Sequence, residues 1–193
     1  MAGYLAGSLP FGYWVVRAAR RVDIRTLGSG NIGATNVWRV FGPRLGLAVA
    51  LLDVAKGFAP ALAATLVVGH LAGALAGAAA MLGHWRPLFL GFQKGGKTVA
   101  TAGGVTIALA PLVACVCVGV WAIIFLLSRY SSVASLATAL ALPVAAALLG
   151  EPWQTIVFAV AACVAVFVLH RHNIRRLLNG TESRFSFTRT ARA

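Results

Sequence analysis

The residues best equipped for chemistry are cations, amides and hydroxyls gathered in three polar stretches. The first, Asp23-Ile-Arg-Thr-Leu-Gly-Ser-Gly-Asn-Ile-Gly-Ala-Thr-Asn-Val-Trp-Arg39, offers Ser29, Asn31, Thr35 and Asn36 as neutral donors. Glycines such as Gly30 let its backbone come close to a ligand. Arg39 adds a planar fork suited to phosphate. Successive amides in such a loop can form an anion nest, although the same composition also suits a connection that caps a following helix. The second stretch, Gly91-Phe-Gln-Lys-Gly-Gly-Lys-Thr98, matches G-x-x-x-x-G-K-[ST] letter for letter. That motif requires a preceding strand within a soluble α/β unit, whereas both neighbours here are apolar runs, so an ATPase is rejected. The phosphate physics survives, because Gly95, Gly96 and Lys97 at a helix start can hold an anion through backbone N–H groups and the helix dipole. The third stretch runs from His170 to Glu182. Read as a helix, it puts His170 and Asn173 on one face, where an imidazole can act as a general base. It reads equally as a basic helix gripping anionic lipid head groups.

Two further charges sit inside an apolar run. Asp53 and Lys56 are one helical turn apart, and an ionisable residue at membrane depth is a functional-site hypothesis by default. Two readings stand: a self-neutralising ion pair between packed helices, and a phosphate contact by Lys56. His84 closes the next apolar run just before the second loop, as a helix-end cap or as a ligand.

The elements that must position these groups follow from composition. The chain has 193 residues, 60% of them hydrophobic and 11% charged, against about 25% charged in ordinary globular domains. It therefore reads as one integral membrane domain, residues 1–193, with a polytopic all-α bundle. The net charge of +13 does not indicate nucleic acid, because the basic residues cluster between apolar runs as cytoplasmic loops do. Cys115, Cys117 and Cys163 lie in apolar runs without metal spacing, so neither a metal site nor a disulfide is expected. No basic region precedes the first apolar stretch, which argues against a secretory signal.

The apolar runs are Met1 to Val16, which Pro10 and Gly12 should bend or interrupt, then Leu45 to Gly69, Leu71 to Trp85, Val99 to Ser128, Val133 to Leu149 and Trp153 to Leu169. A single helix over Val99 to Ser128 would be about 45 Å long, well beyond the roughly 30 Å hydrocarbon core. A break near Ala110-Pro111 divides it. Placing every basic loop on the cytoplasmic side then predicts seven short spans, with the N-terminus outside and the C-terminus inside. Six spans result if Arg129 does not mark a cytoplasmic turn. The segment up to Ala110 is too short to span alone, so it starts nearer Gly95 or is a half-helix buried in protein.

Together these segments resemble one family, the bacterial acyl-phosphate:glycerol-3-phosphate acyltransferases of the PlsY type. The likeness runs through Gly7-Ser-Leu-Pro-Phe-Gly-Tyr13, Gly28-Ser-Gly-Asn-Ile-Gly-Ala-Thr-Asn-Val37 with Arg39, and Asp53-Val-Ala-Lys-Gly57. It continues through Gly83-His84 and Pro87, Gly95-Gly-Lys97 with Val99-Ala-Thr101, His170-Arg-His-Asn-Ile-Arg-Arg-Leu177 and Gly180-Thr-Glu182. The resemblance implies transfer of a fatty acyl group from acyl phosphate to the sn-1 hydroxyl of glycerol 3-phosphate. The products are lysophosphatidate and inorganic phosphate, made without acyl-CoA or a cofactor at the cytoplasmic face of the cell membrane. It further implies that Ser29 and Arg39 are essential and that Gly95, Gly96 and Lys97 bind glycerol 3-phosphate. His170 and Asn173 would support activity, and Glu182 structural integrity. A separate transacylase is the implied source of acyl phosphate and a possible contact.

Two departures from the family pattern stand out. The stretch Phe92-Gln-Lys-Gly-Gly-Lys-Thr98 has one more residue before its glycines than the common F-K-G-G-K-G, and Thr98 replaces the last glycine. A β-branched residue is a poor substitute if that position needs positive φ. The first helix also begins late. The base is either His170 or a substrate phosphate oxygen, and the phosphate is favoured because no carboxylate visibly orients His170. An organic-phosphate transporter and an inactive lipid-binding paralogue are the rival readings.

Overall fold

The computed structural model describes residues 1–185, all of the chain but its last eight residues. Among the described residues the regular structure is helical throughout: α1 (Ala2–Gly7), α2 (Phe11–Arg20), α3 (Ala34–Phe41), α4 (Pro43–Val67), α5 (His70–Trp85), α6 (Val99–Leu109), α7 (Pro111–Ser128), α8 (Ser131–Leu148), α9 (Trp153–Leu169) and α10 (Arg171–Leu178), with short 3-10 turns at Ile24–Thr26 and Leu88–Leu90. This is the all-α polytopic architecture expected of an integral membrane protein.

Helix boundaries follow local chemistry. Pro10, which cannot continue a helix from the preceding turn, separates α1 from α2, so the first apolar run is interrupted rather than merely bent. Pro111 opens α7 at its first position, where the missing N–H has no helical partner to lose. That break divides the long apolar run where length alone required it. The resulting α6 has 11 residues, about 16 Å at 1.5 Å per residue, and is too short to cross a bilayer by itself. By length and apolarity α4, α7 and α8 can each cross, and α9 with α10 makes a fourth candidate if the pair, bent by 57°, is taken as one span.

Two packed groups of helices make up the bundle. The long α4 contacts α1, α3, α5 and α6, while α8 lies between α7 and α9; α5 and α6 touch α9 and close the two groups together. Small residues bring α4 and α6 unusually near. A Cβ added at Gly57 would overlap the Thr101 carbonyl, and one at Gly104 the Val54 carbonyl, the small-residue contact by which membrane helices gain packing energy. The main core, with Val105, Leu109, Val113, Leu142 and Phe158, lies among α4–α9. A second core of Val16, Ile24, Ile32, Val37 and Val49 anchors the first polar loop. Facing outward are Leu51, Leu66, Leu112, Leu127, Leu140 and Val164, all exposed, a surface suited to lipid rather than water.

Candidate functional site

The three polar stretches meet at one end of the bundle. A cleft there is lined by Ser29 and Asn31 from the first, Lys94 and Lys97 from the second, and His172, Asn173 and Arg176 from the third, with Leu169 at its edge. A second cleft adjoins it and shares Lys94, Lys97, Leu169 and His172, adding Trp85, Arg86, Gly96 and Arg171.

At the junction stands Lys97, whose Nζ donates to Asn173 Oδ1 at 2.6 Å. Asn173 is aimed by Glu182: its Nδ2 donates to Glu182 Oε1 at 2.7 Å. The same carboxylate accepts from Ser132 Oγ at 2.8 Å and from Arg176 Nε at 2.7 Å. With its amide group spoken for by Glu182, Asn173 presents its oxygen to Lys97. Burial works to raise the Glu182 carboxyl, but the bonds from Asn173, Ser132 and Arg176 outweigh it and hold the group below the ordinary carboxylate range. Burial brings the Lys97 ammonium down to about 8, helped by the charges of Arg176, Lys94 and Arg39 and opposed by Glu182. The ammonium's hydrogen-bond partner is the neutral Asn173 amide, and among the described residues no carboxylate pairs with it directly.

His170 lies buried where α9 turns into α10. Its Nδ1 is 2.8 Å from the Val166 carbonyl, so Nδ1 carries the hydrogen and Nε2 is left as the acceptor. Burial first, then the Lys97 charge, take its pKa down to about 4, against the opposing effects of the Val166 bond and Glu182. At neutral pH the ring is an uncharged, weak base, oriented by a backbone carbonyl rather than by a carboxylate.

The first loop is shaped by Asn36, which is buried. Its Oδ1 accepts from the Ser29 N–H at 2.9 Å, and its Nδ2 donates to the Leu27 and Asn31 carbonyls at 3.1 and 2.9 Å. Asn36, expected as a substrate contact, is thus fully engaged in holding the loop. Gly30, also expected at the ligand, sits at φ +68° with its N–H on the Leu27 carbonyl, 3.0 Å away. Asn31 joins the loops: Nδ2 donates to the Gly95 carbonyl at 3.3 Å. A second tie runs from Arg25, paired with Asp23 at 2.7 Å, to Gln93 Oε1 at 2.8 Å. Thr35 and Arg39 lie one turn apart on α3 and line neither cleft. The charges acting on Arg39 are nonetheless those of Glu182 and Arg176, which ties it to the third stretch.

The second loop departs from the expected anion cradle. The N–H groups of Gly95 and Gly96 donate to the Trp85 and His84 carbonyls at 2.9 and 3.0 Å, so these amides already have partners. Both glycines are buried because they press on α5; a Cβ at Gly96 would run into the His84 ring. The free donors near Lys97 are instead the first-turn amides of α6, which no helix can satisfy internally. Thr98, the residue before them, adopts φ +63° and is buried. A β-branched side chain therefore occupies the left-handed conformation that glycine would take without strain.

Of the two readings of Lys56, the structure shows the enclosed ion pair and not a substrate contact, and His84, read as a cap or a ligand, is enclosed as well. Lys56 Nζ lies 2.8 Å from Asp53 Oδ1 and donates to the Leu9 carbonyl at 2.9 Å. His84 Nδ1 is 3.6 Å from the same carboxylate oxygen. Neither residue lines a cleft. Ser132 is the opposite case: one of two consecutive serines just before an apolar run, with no local motif, it becomes a direct partner of Glu182 through the fold alone. Among the described residues no cluster of His, Cys, Asp and Glu is arranged to hold a metal.

A family model described as glycerol-3-phosphate acyltransferase matches residues 1–180 of the chain. A glycerol-3-phosphate acyltransferase from Desulforudis audaxviator is 46% identical over 184 residues, covering 95% of this chain and 92% of that protein. One from Hyphomonas neptunium is 48% identical over 188 residues, with 96% and 90% covered. The crystal structure of PlsY (YgiH), an integral membrane glycerol 3-phosphate acyltransferase, in its glycerol 3-phosphate form, superposes with a TM-score of 0.91 at 42% identity over 95% of this chain and 92% of that one. The lysophosphatidic acid form gives 0.89 at 41% identity, with the same coverage.

Proposed function

The chain belongs to the glycerol-3-phosphate acyltransferase family, and from that premise we propose that its acyl donor is an acyl phosphate and that the cleft around Lys97 is where the two substrates meet. Membership makes the protein a membrane acyltransferase of phospholipid synthesis. The observation that carries the choice of donor is the cationic lining of the two adjoining clefts, with Lys94 and Lys97 common to both. Two phosphate groups close to the reacting carbonyl and hydroxyl account for that lining, and a reaction between two anions gains from being held in register.

The polar cleft, with Ser29, Asn31 and Asn173 beside Lys97, suits glycerol 3-phosphate. Arg39 approaches from α3 and supplies positive potential to the same region. The sn-1 hydroxyl attacks the acyl carbonyl carbon, the bond from that carbon to the phosphate oxygen breaks, and inorganic phosphate leaves. Donors near the developing oxyanion, Ser29 and Lys97 foremost, stabilise it. A phosphate oxygen is the better acceptor for the hydroxyl proton, since a buried imidazole with a pKa of about 4 is a feeble base. His170, expected as a catalytic group, is buried and lines neither cleft, so it backs the Lys97 side of the site rather than touching the hydroxyl. Asn173 holds Lys97, Glu182 holds Asn173, and no covalent enzyme intermediate is required because the donor is already activated.

The basic residues of all three stretches favour a site open to the cytoplasm, the N-terminus outside and the C-terminus inside the cell membrane, with seven passes (the α1–α2 pair, then α4 to α9) in which the short α6 completes its pass only together with the loop before it and buried in protein. Purified protein in lipid nanodiscs, given glycerol 3-phosphate with palmitoyl phosphate or with palmitoyl-CoA, tests the donor. Lysophosphatidate and inorganic phosphate should appear together with the first and not with the second. Product from palmitoyl-CoA alone would overturn the proposal.

A further inference from the structure

The site leaves the buried Asp53–Lys56 pair and His84 without a part in the reaction. Their side chains are all enclosed, those of Lys56 and Asp53 only 1% and 2% exposed. They lie in one row, in which the step from Asp53 to His84 is a close approach of 3.6 Å rather than a hydrogen bond. Lys56 holds the Leu9 carbonyl in the interruption between α1 and α2 and pairs with Asp53. Asp53 faces the Nδ1 side of His84. The His84 ring lies directly against Gly96, and its carbonyl accepts the Gly96 N–H at 3.0 Å. The next residue is Lys97, whose ammonium reaches Asn173 in the cleft.

We propose that Asp53, Lys56 and His84 form a buried strut that sets the position of Lys97, making Lys56 and His84 positioning residues that act through the second loop. This inference rests on the reading of the cleft as the glycerol 3-phosphate site. An apolar trio would fill the same space, but it would not fix direction: an ion pair with a carbonyl partner holds one geometry, the role for which buried charged groups are best attested. The absence of a Cβ at Gly96 makes the coupling tight. With no side chain between ring and backbone, any shift of the His84 ring is passed to the peptide that carries Lys97. The strut also reaches the interrupted first helix, so three separate segments share one set of contacts.

Two readouts on His84→Ala and Lys56→Met test this, with wild type alongside. Where Lys56→Met does not fold, Asp53→Asn/Lys56→Met removes the orphaned carboxylate and takes its place. The first readout needs no activity: a brief pulse of an amine-acylating reagent, followed by peptide mass spectrometry. The exposed Lys94 serves as internal standard. Acylation of Lys97 relative to Lys94 should rise several-fold in the strut variants. The second readout is kinetic. KM for glycerol 3-phosphate should rise by about tenfold, the loss expected when one charge-assisted contact is misplaced, in protein that remains monodisperse. An unchanged Lys97 to Lys94 ratio, or a fall in kcat alone with KM unmoved, would overturn the strut. Wild type that shows no saturation by glycerol 3-phosphate while the labelling ratio still rises would instead sink the reading of the cleft.

Discussion

Burial brings the Lys97 ammonium to about 8, so the residue changes charge just above neutral pH. Below that value the free protein carries the cation that a phosphate dianion needs. As pH rises through it the proton leaves, and binding of the anion must then recover it. KM for glycerol 3-phosphate should therefore climb above pH 8, by up to about tenfold per unit, while Lys97→Arg, which cannot deprotonate there, should lose the alkaline rise. Initial rates across a pH series with saturating acyl donor check this. Thr98 supports a second prediction. Its φ of +63° costs a non-glycine residue about 1–2 kcal/mol, and its buried hydroxyl has no hydrogen-bond partner among the described residues. Thr98→Gly should raise the thermal midpoint in detergent by the equivalent of about 1 kcal/mol, given the chain entropy that glycine adds back. A lower midpoint would mean that the side chain packs more favourably than its backbone is strained.

At the scale of the helices, the Asp53–Lys56 pair is buried within α4, and small residues let α4 and α6 approach closely. Lys56→Met leaves a carboxylate buried without its cation and should destabilise the fold by about 3–5 kcal/mol, whereas Asp53→Asn/Lys56→Met should recover most of that loss. Denaturation of the two variants in matched detergent decides it, and equal destabilisation would contradict the account. The same helices show what a sequence can and cannot disclose. The break at Ala110-Pro111 was legible because length and proline chemistry both demanded it, and the interruption at Pro10 likewise. The cleft's membership was legible in part: Ser29, Asn31, Lys97 and Asn173 sit in dense runs of donors and do converge. Ser132 was not, because one hydroxyl in an apolar helix acquires meaning only when Glu182 is folded onto it. The glycine pair misled for a related reason. Gly95 and Gly96 look like an anion cradle in sequence, but their amides point to α5 carbonyls, and their smallness serves close approach to His84. For Lys56 the one-turn spacing from Asp53 offered both an ion pair and a phosphate contact, and packing selects the pair; the inward direction of His84, read as a cap or a ligand, is a property of packing that spacing does not encode.

For the whole molecule, the proposed topology rests on where the arginines and lysines lie, since among the described residues three helices are individually long and apolar enough to cross. With seven crossings, Gln93→Cys should react with a membrane-impermeant maleimide only from the cytoplasmic side, and Glu151→Cys, in the turn between α8 and α9, only from the outside. Labelling of both positions from one side would refute that topology. The larger claim is that separate stretches of chain converge to give one anion-binding cleft with Lys97 at its centre. Its most direct test is the rate of lysophosphatidate formation against glycerol 3-phosphate concentration for wild type and Lys97→Met in nanodiscs, with palmitoyl phosphate as donor. The account predicts saturable product formation by wild type and a loss of kcat/KM of about a hundredfold or more in the variant, as for removal of a single group that stabilises both substrate and transition state. A Lys97→Met protein that saturates and turns over as wild type does would contradict it.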